Sequence, residues 1–300
     1  MNDPKFLVVG AARSGTTALH HYLQQHKEIF LPAQKEPCFF CFVDEQLRYK
    51  NGKFAFAITD TNKYKKLFDK ANPHQITGEI STPYLYLHHQ TINNIKKYHS
   101  DSANLKILII VRNPIERAYS QYLWKVRDGR EELSFEAALK QEKQRMEDNY
   151  SFDYFYAHRG LYYEQVKDYL ENFKSVKIIL FEEFKFSFEK TMIDLCDFLE
   201  VKNDFKFIRK HPVNSSSFPR FGKLGRIITV ESKIKFKLLR YIPEEIKTGI
   251  KETFLRLNTS DKFPLPIAAA TRVYLHEYYK EDISNLQSLT GINLSLWLDS

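Results

Sequence analysis

Apolar runs alternate with amphipathic stretches along this chain. Residues 6–10 (FLVVG) form a short, continuous apolar run, the pattern of a strand buried on both faces. A helical pattern follows over 16–26 (TTALHHYLQQH), with Leu19 and Leu23 on one side. Residues 28–32 (EIFLP) read as a second strand stopped by Pro32, and 75–81 (QITGEIS) as a third. The strongest strand signal is 105–112 (LKILIIVR), and 114–128 then reads as a helix with proline at its first position. Further helices are predicted over 134–146 and 161–173, a buried strand over 176–184 (VKIILFEEF), and a helix over 188–201. Strands that alternate with helices predict an α/β fold, a mainly parallel sheet with helices on both faces. Ligands of such sheets bind beyond the carboxyl ends of the strands. The residues just after Gly10, Ser81 and Val111 are therefore the ones to inspect.

The segment after the first strand reads GAARSGTT, residues 10–17. Gly10 and Gly15 have the spacing of the phosphate loop G-x-x-x-x-G-K-[ST], but Thr16 stands where that loop has lysine. The N–H groups of a tight loop opening a helix bind an anion without a lysine. Ser14, Gly15, Thr16 and Thr17 supply such groups, and Arg13 supplies a cation on the loop itself. The strand at 105–112 ends in Arg112, where an ATPase of this build has a metal-holding aspartate. Arginine repels a metal ion and attracts a phosphate, a charge-assisted contact worth about 1.5–3 kcal/mol. Ser120, two helical turns on, adds a hydroxyl. The pattern predicts a site for two separated phosphates in place of a metal triphosphate.

Composition narrows the partners. The chain has 300 residues and a formal charge of +8, which favours an anionic partner such as a nucleotide, an acidic polymer or a membrane surface. Cys38, Cys41 and Cys196 make no disulfide framework, and the C-x-x-C pair has no second pair to complete a zinc site. Residues 1–5 lead straight into the first strand, and no run of about 20 apolar residues is present. The expectation is a cytoplasmic protein that needs no metal, with peripheral membrane contact as an extension.

Together, GAARSGTTAL and IIVRNPIERAYSQY (109–122) resemble the two nucleotide motifs of the sulfotransferases that use 3′-phosphoadenosine 5′-phosphosulfate (PAPS). The likeness to the bacterial, carbohydrate-type branch extends to GLYYEQVKDYLENF (160–173), KIILFEEF (177–184) and the closing YYKEDISNLQSLTGINLSLWL. It implies one P-loop-type sulfotransferase domain over 1–300 that moves a sulfuryl group to a hydroxyl of a carbohydrate or another metabolite. It places the 5′-phosphosulfate at Arg13, Ser14, Gly15, Thr16 and Thr17, and the 3′-phosphate at Arg112 and Ser120. Tyr162 matches a position lining the cleft. Arg220, in the polar loop 210–223, matches a segment that covers the nucleotide.

The segment PAQKEPCFF (32–40) resembles the family's K-E-x-x-F-F stretch, which makes Glu36 the general base. In-line sulfuryl transfer needs such a base and positive charge on the leaving phosphate, here Arg13. Two acceptor-side positions depart from glycan-modifying members: Cys38 stands where many have histidine, and Ile80 where some have lysine. Glu79 is either a hydrogen-bonding group near the site or a cap on the strand end. Two other readings are a P-loop kinase for a small molecule and a non-catalytic nucleotide- or polyanion-binding protein. Nucleic acid is not an expected partner. The stretch 220–262 carries eleven Lys or Arg against five Asp or Glu, and reads as a solvated basic face or a dock for an anionic polymer or membrane.

Overall fold

The computed structural model describes residues 3–209 apart from 44, 46, 47, 52, 53 and 55, together with 218–219, 259–260 and 266–298. Arg220 and the basic stretch 220–262, but for residues 259–260, lie outside the described residues. Five strands form one parallel sheet: β1 (Phe6–Gly10), β2 (Ile29–Phe30), β3 (Ile76–Ile80), β4 (Lys106–Val111) and β5 (Ser175–Leu180), in the order β2-β3-β1-β4-β5. Two short strands, β6 (Phe218–Pro219) and β7 (Thr259–Ser260), pair antiparallel apart from it. The chain leaves β1 toward one edge of the sheet and later crosses to the other. Its order therefore reverses at β1, and the crevice there opens between the ends of β3 and β4.

Both faces of the sheet are covered, as the continuous apolar runs require. Leu7, Val9, Ile107, Ile109 and Val111 point into one core, with side chains of α2 (Phe39–Phe42), α5 (His88–Tyr98), α6 (Pro114–Arg127), α9 (Tyr163–Asn172) and α12 (Ala269–Thr290). Phe6, Val8, Leu108 and Ile110 alternate with them into the other core. That core holds Leu19 and Leu23 of α1 (Thr16–Leu23), Phe181 and Phe184 of α10 (Phe181–Phe186), and Met192 and Leu195 of α11 (Phe188–Leu199). Each such side chain contributes about 1.5–3 kcal/mol of burial. The period of two in the central strands thus divides one apolar run between two cores.

Local chemistry sets several boundaries. Asn113 caps α6, accepting from Ile115 N (3.0 Å) and Glu116 N (3.3 Å), with Pro114 in the first turn. Helix α1 ends at Leu23 and its chain tightens through Gln25 N→Tyr22 O and His26 N→Leu23 O bonds, so it is shorter than the predicted 16–26. The predicted strand 176–184 is corrected. Pairing stops at Leu180, and FEEFKF turns helical because Phe181 and Phe184, three apart, both enter the core below α1. The predicted helix 134–146 is two helices, α7 (Phe135–Lys140) and α8 (Glu142–Glu147). The sequence reading assigned no helix to α2, to α3 (Thr61–Lys66), or to α4 (Pro83–Tyr86) and α5, which follow β3.

Candidate active site

The loop between β1 and α1 sits in the crevice. Gly15 adopts φ +86°, where a Cβ would stand 3.0 Å from the Phe181 ring. Glycine is needed there on both counts. No side chain caps α1, so its first-turn N–H groups keep the capacity to bind an anion. Ser14 is fully buried, and its Oγ has no hydrogen-bond partner. A buried hydroxyl left unpaired costs about 1–3 kcal/mol, so it marks a place where a ligand oxygen fits. Thr16 is buried and Thr17 exposed at the same helix start.

At the end of β4 three of the expected residues converge. Arg13 Nε donates to Ser120 Oγ (3.2 Å), and Arg112 Nη1 donates to the carbonyl of Arg13 (3.3 Å). Arg112 lies over the Phe181 ring at 4.9 Å and Arg13 over Trp124 at 6.0 Å. Burial pushes Arg13 down to about 10, and the cations of Arg127, Arg112 and Arg117 push the same way, with only Asp128 among the leading influences opposing them. Arg112 is lowered by burial and partly restored by Glu116 and Glu182. Such an excess of buried positive charge suits a multiply charged anion. Arg13 therefore stands with Ser120, on the side expected to take the 3′-phosphate.

Tyr162 is completely buried. Its hydroxyl donates to the Arg112 carbonyl (3.1 Å), so it holds the strand end that carries Arg112 rather than facing the crevice. Its backbone N–H and that of Tyr163 donate to Asp282 of α12 (2.7 and 3.1 Å), which caps α9 from a distant part of the chain. Burial raises Asp282 to about 6. Sequence reasoning missed Asp282, whose spacing from Tyr162 carries no local signal. It also missed Arg117, buried in α6 with its Nε and Nη1 unpartnered.

Glu36 lies on the other side of the loop, at the end of β3. Its Oε2 accepts from Thr82 N (2.7 Å) and Thr82 Oγ1 (3.1 Å), and its Oε1 from Lys35 Nζ (2.5 Å). Its own N–H donates to Ile80 O (3.0 Å). The Thr82 carbonyl in turn lies 3.3 Å from where a Cβ on Gly10 would stand, so Glu36 is placed beside the loop. The signal for Thr82 was present in the Ser-Thr-Pro sequence closing β3, but it had been given no role. Glu79, next to it, is fully buried, and burial raises it to about 7 against three hydroxyl hydrogen bonds. Cys38 and Cys41 are buried free thiols, raised by burial.

Three histidines make structural contacts. His20 Nε2 meets the carbonyl of Pro32 (3.3 Å), and burial and Lys35 lower the ring to about 4. The Nδ1 atoms of His88 and His89 both approach Asp168 Oδ2 (2.5 and 2.9 Å). Among the described residues this is the one cluster of metal-ligand type. Its spacing is that of hydrogen bonds, and it straps α5 to α9.

The fold is a P-loop-like α/β fold whose crevice sets an uncapped helix beside paired arginines. Comparison with known proteins agrees. A family model, described as the sulfotransferase domain, matches residues 3–218. The crystal structure of a sulfotransferase from Alicyclobacillus acidocaldarius is 30% identical and superimposes with a TM-score of 0.75 over 99% of each chain. The membrane-associated sulfotransferase kil1 of Dictyostelium discoideum is 30% identical over 119 residues, 40% of this chain and 22% of that one. Heparan sulfate glucosamine 3-O-sulfotransferase 5 of Mus musculus is 31% identical over 128 residues, 43% of this chain and 32% of that one. The matched segments thus span about a fifth to a third of these curated relatives. The chain belongs to the sulfotransferase family. Among the described residues, no helix is long and apolar enough to cross a membrane.

Proposed function

We propose that this chain is a PAPS-dependent sulfotransferase, a single domain over 1–300, with a hydroxyl of a carbohydrate or another metabolite as acceptor. The observation that carries the reading is the joining of Arg13, Arg112 and Ser120 at the end of β4, beside an uncapped helix with an unpartnered, buried Ser14 hydroxyl. These groups fit PAPS: Ser14, Gly15, Thr16 and Thr17 would hold its 5′ end, and Arg112 and Ser120 its 3′-phosphate. When bound, PAPS supplies the activated sulfuryl group and leaves as 3′-phosphoadenosine 5′-phosphate (PAP). Glu36 takes the proton from the acceptor hydroxyl, and Thr82 and Lys35 orient its carboxylate. When PAPS binds, Arg13 turns from Ser120 to the leaving phosphate, where it and the first-turn N–H groups of α1 stabilise the growing negative charge. The carbohydrate acceptor is suggested by the heparan sulfate name of one relative. Peripheral attachment to a membrane is suggested by the name of another.

Calorimetric titration with PAP and with adenosine 5′-phosphosulfate tests the assignment. Arg112→Ala should weaken PAP by about 1.5–3 kcal/mol, the value of a charge-assisted contact, and leave adenosine 5′-phosphosulfate nearly unchanged. Equal losses for both ligands would overturn it.

A further inference from the structure

Glu79 is the penultimate residue of β3 and is fully buried. Three hydroxyls donate to its carboxylate: Tyr84 (2.6 Å) and Tyr64 (3.2 Å) to Oε1, and Ser81 (2.8 Å) to Oε2. Two of those hydroxyls then accept from backbone N–H groups of the segment that carries Glu36. Cys38 N donates to Ser81 Oγ (3.0 Å), and Phe40 N donates to the Tyr84 oxygen (3.1 Å). The chain from Glu36 to Phe40 is thus tied to one carboxylate through two relays.

That segment needs holding. Glu36 and Cys38 both adopt left-handed backbone, with φ of 59° and 54°. Side-chain-bearing residues leave that region unless their surroundings fix them, at a cost of about 1–3 kcal/mol each. The relays from Glu79 act two and four residues from Glu36, and the Glu36 N–H is itself bound to Ile80, the neighbour of Glu79. In its ionised form the carboxylate is acceptor-only and satisfies the three converging O–H donors at once. A glutamine of the same size would turn an NH2 toward one of them.

We infer that Glu79 is a positioning residue for the general base: through Ser81 and Tyr84 it fixes the left-handed segment 36–40 and with it the Glu36 carboxylate. The inference rests on the reading of Glu36 as base. The groups facing Glu79 are Tyr64, Tyr84, Ser81, Glu36, Cys38 and Cys41. Glu36 is the one other carboxylate among these.

The test combines a structural and a kinetic readout on the full chain. Hydrogen exchange over residues 36–43, PAP affinity by calorimetry, and single-turnover transfer from PAPS to a heparan sulfate oligosaccharide are compared in wild type, Glu79→Gln, Ser81→Ala and Glu36→Gln. Glu79→Gln should speed exchange of the Cys38 and Phe40 amides at least tenfold and slow transfer on the order of 10–100-fold, the penalty of a displaced catalytic group. PAP affinity should stay within about twofold, because the nucleotide seat lies across the loop. Ser81→Ala, which keeps the carboxylate and cuts one relay, should show the same pattern in smaller degree. Unchanged exchange over 36–43 in both variants would overturn the inference, as would lost PAP affinity in proportion to lost transfer. If Glu36→Gln transferred at the wild-type rate while Glu79→Gln loosened the segment, the assignment of the base would fall and the hold of Glu79 on the segment would stand.

Discussion

Glu79 also offers a measurement independent of turnover. Its folded-state value of about 7 stands against 4.5 for an ordinary glutamate. Burial disfavours the charged form, and the three hydroxyl donors only partly offset it. The folded chain therefore holds a proton at Glu79 that the unfolded chain has released. The stability that this proton contributes is fully present below pH 4.5 and is lost as pH rises through 7. Between pH 5 and pH 8 the linkage amounts to about 2–3 kcal/mol, at about 1.4 kcal/mol per pKa unit. Glu79→Gln is neutral throughout and lacks this dependence. Urea unfolding of both proteins at the two pH values isolates it, because every other titrating group cancels in the difference of differences. Wild type should lose about 2–3 kcal/mol relative to the variant on going from pH 5 to pH 8. A double difference below about 0.5 kcal/mol, the scatter of ordinary substitutions, would show that the carboxyl titrates as if exposed and would refute the reasoning.

Two other substitutions probe the crevice. Glu36→Gln should leave PAP affinity nearly unchanged and cut turnover by roughly 10²–10⁴-fold, and steady-state rates at saturating PAPS would expose a wrong base if they stayed high. Gly15→Ala places a Cβ at φ +86° against the Phe181 ring. It should cost about 1–2 kcal/mol of stability from backbone strain and weaken PAP, and an unchanged melting temperature would count against the loop geometry.

The sheet was legible in the sequence because its strands are buried on both sides. FLVVG and KILIIV carry no polar residue between their ends, and their shortness and Val/Ile content favour strand over buried helix. The phosphate loop was legible because Gly10 and Gly15 punctuate a strand-to-helix transition. The helical turn at FEEFKF was not, since its apolar residues continue the strand composition and only the core below α1 decides the period. Arg13, Arg112 and Ser120 were each named from motifs. Their mutual hydrogen bonds depend on how the ends of β1 and β4 pair, which no local pattern encodes. Glu79 carried a signal of rarity, an acid near the end of an apolar strand, but its role needed Tyr64 and Tyr84 from two separate helices.

Asp282 ties the last long helix to the crevice. It accepts the N–H groups of Tyr162 and Tyr163 across 120 residues of chain, and Tyr162 in turn grips the carbonyl of Arg112. The sulfotransferase match ends at residue 218, yet a helix beyond it reaches the end of β4 through Tyr162, adding to the β4–β5 pairing and the Asn113 N–H bond to Glu182 that also hold that strand end. During synthesis the loop and both arginines emerge early, and this last tie can form only once residue 282 has emerged. A nascent chain stalled before that point would carry the whole motif set without that tie.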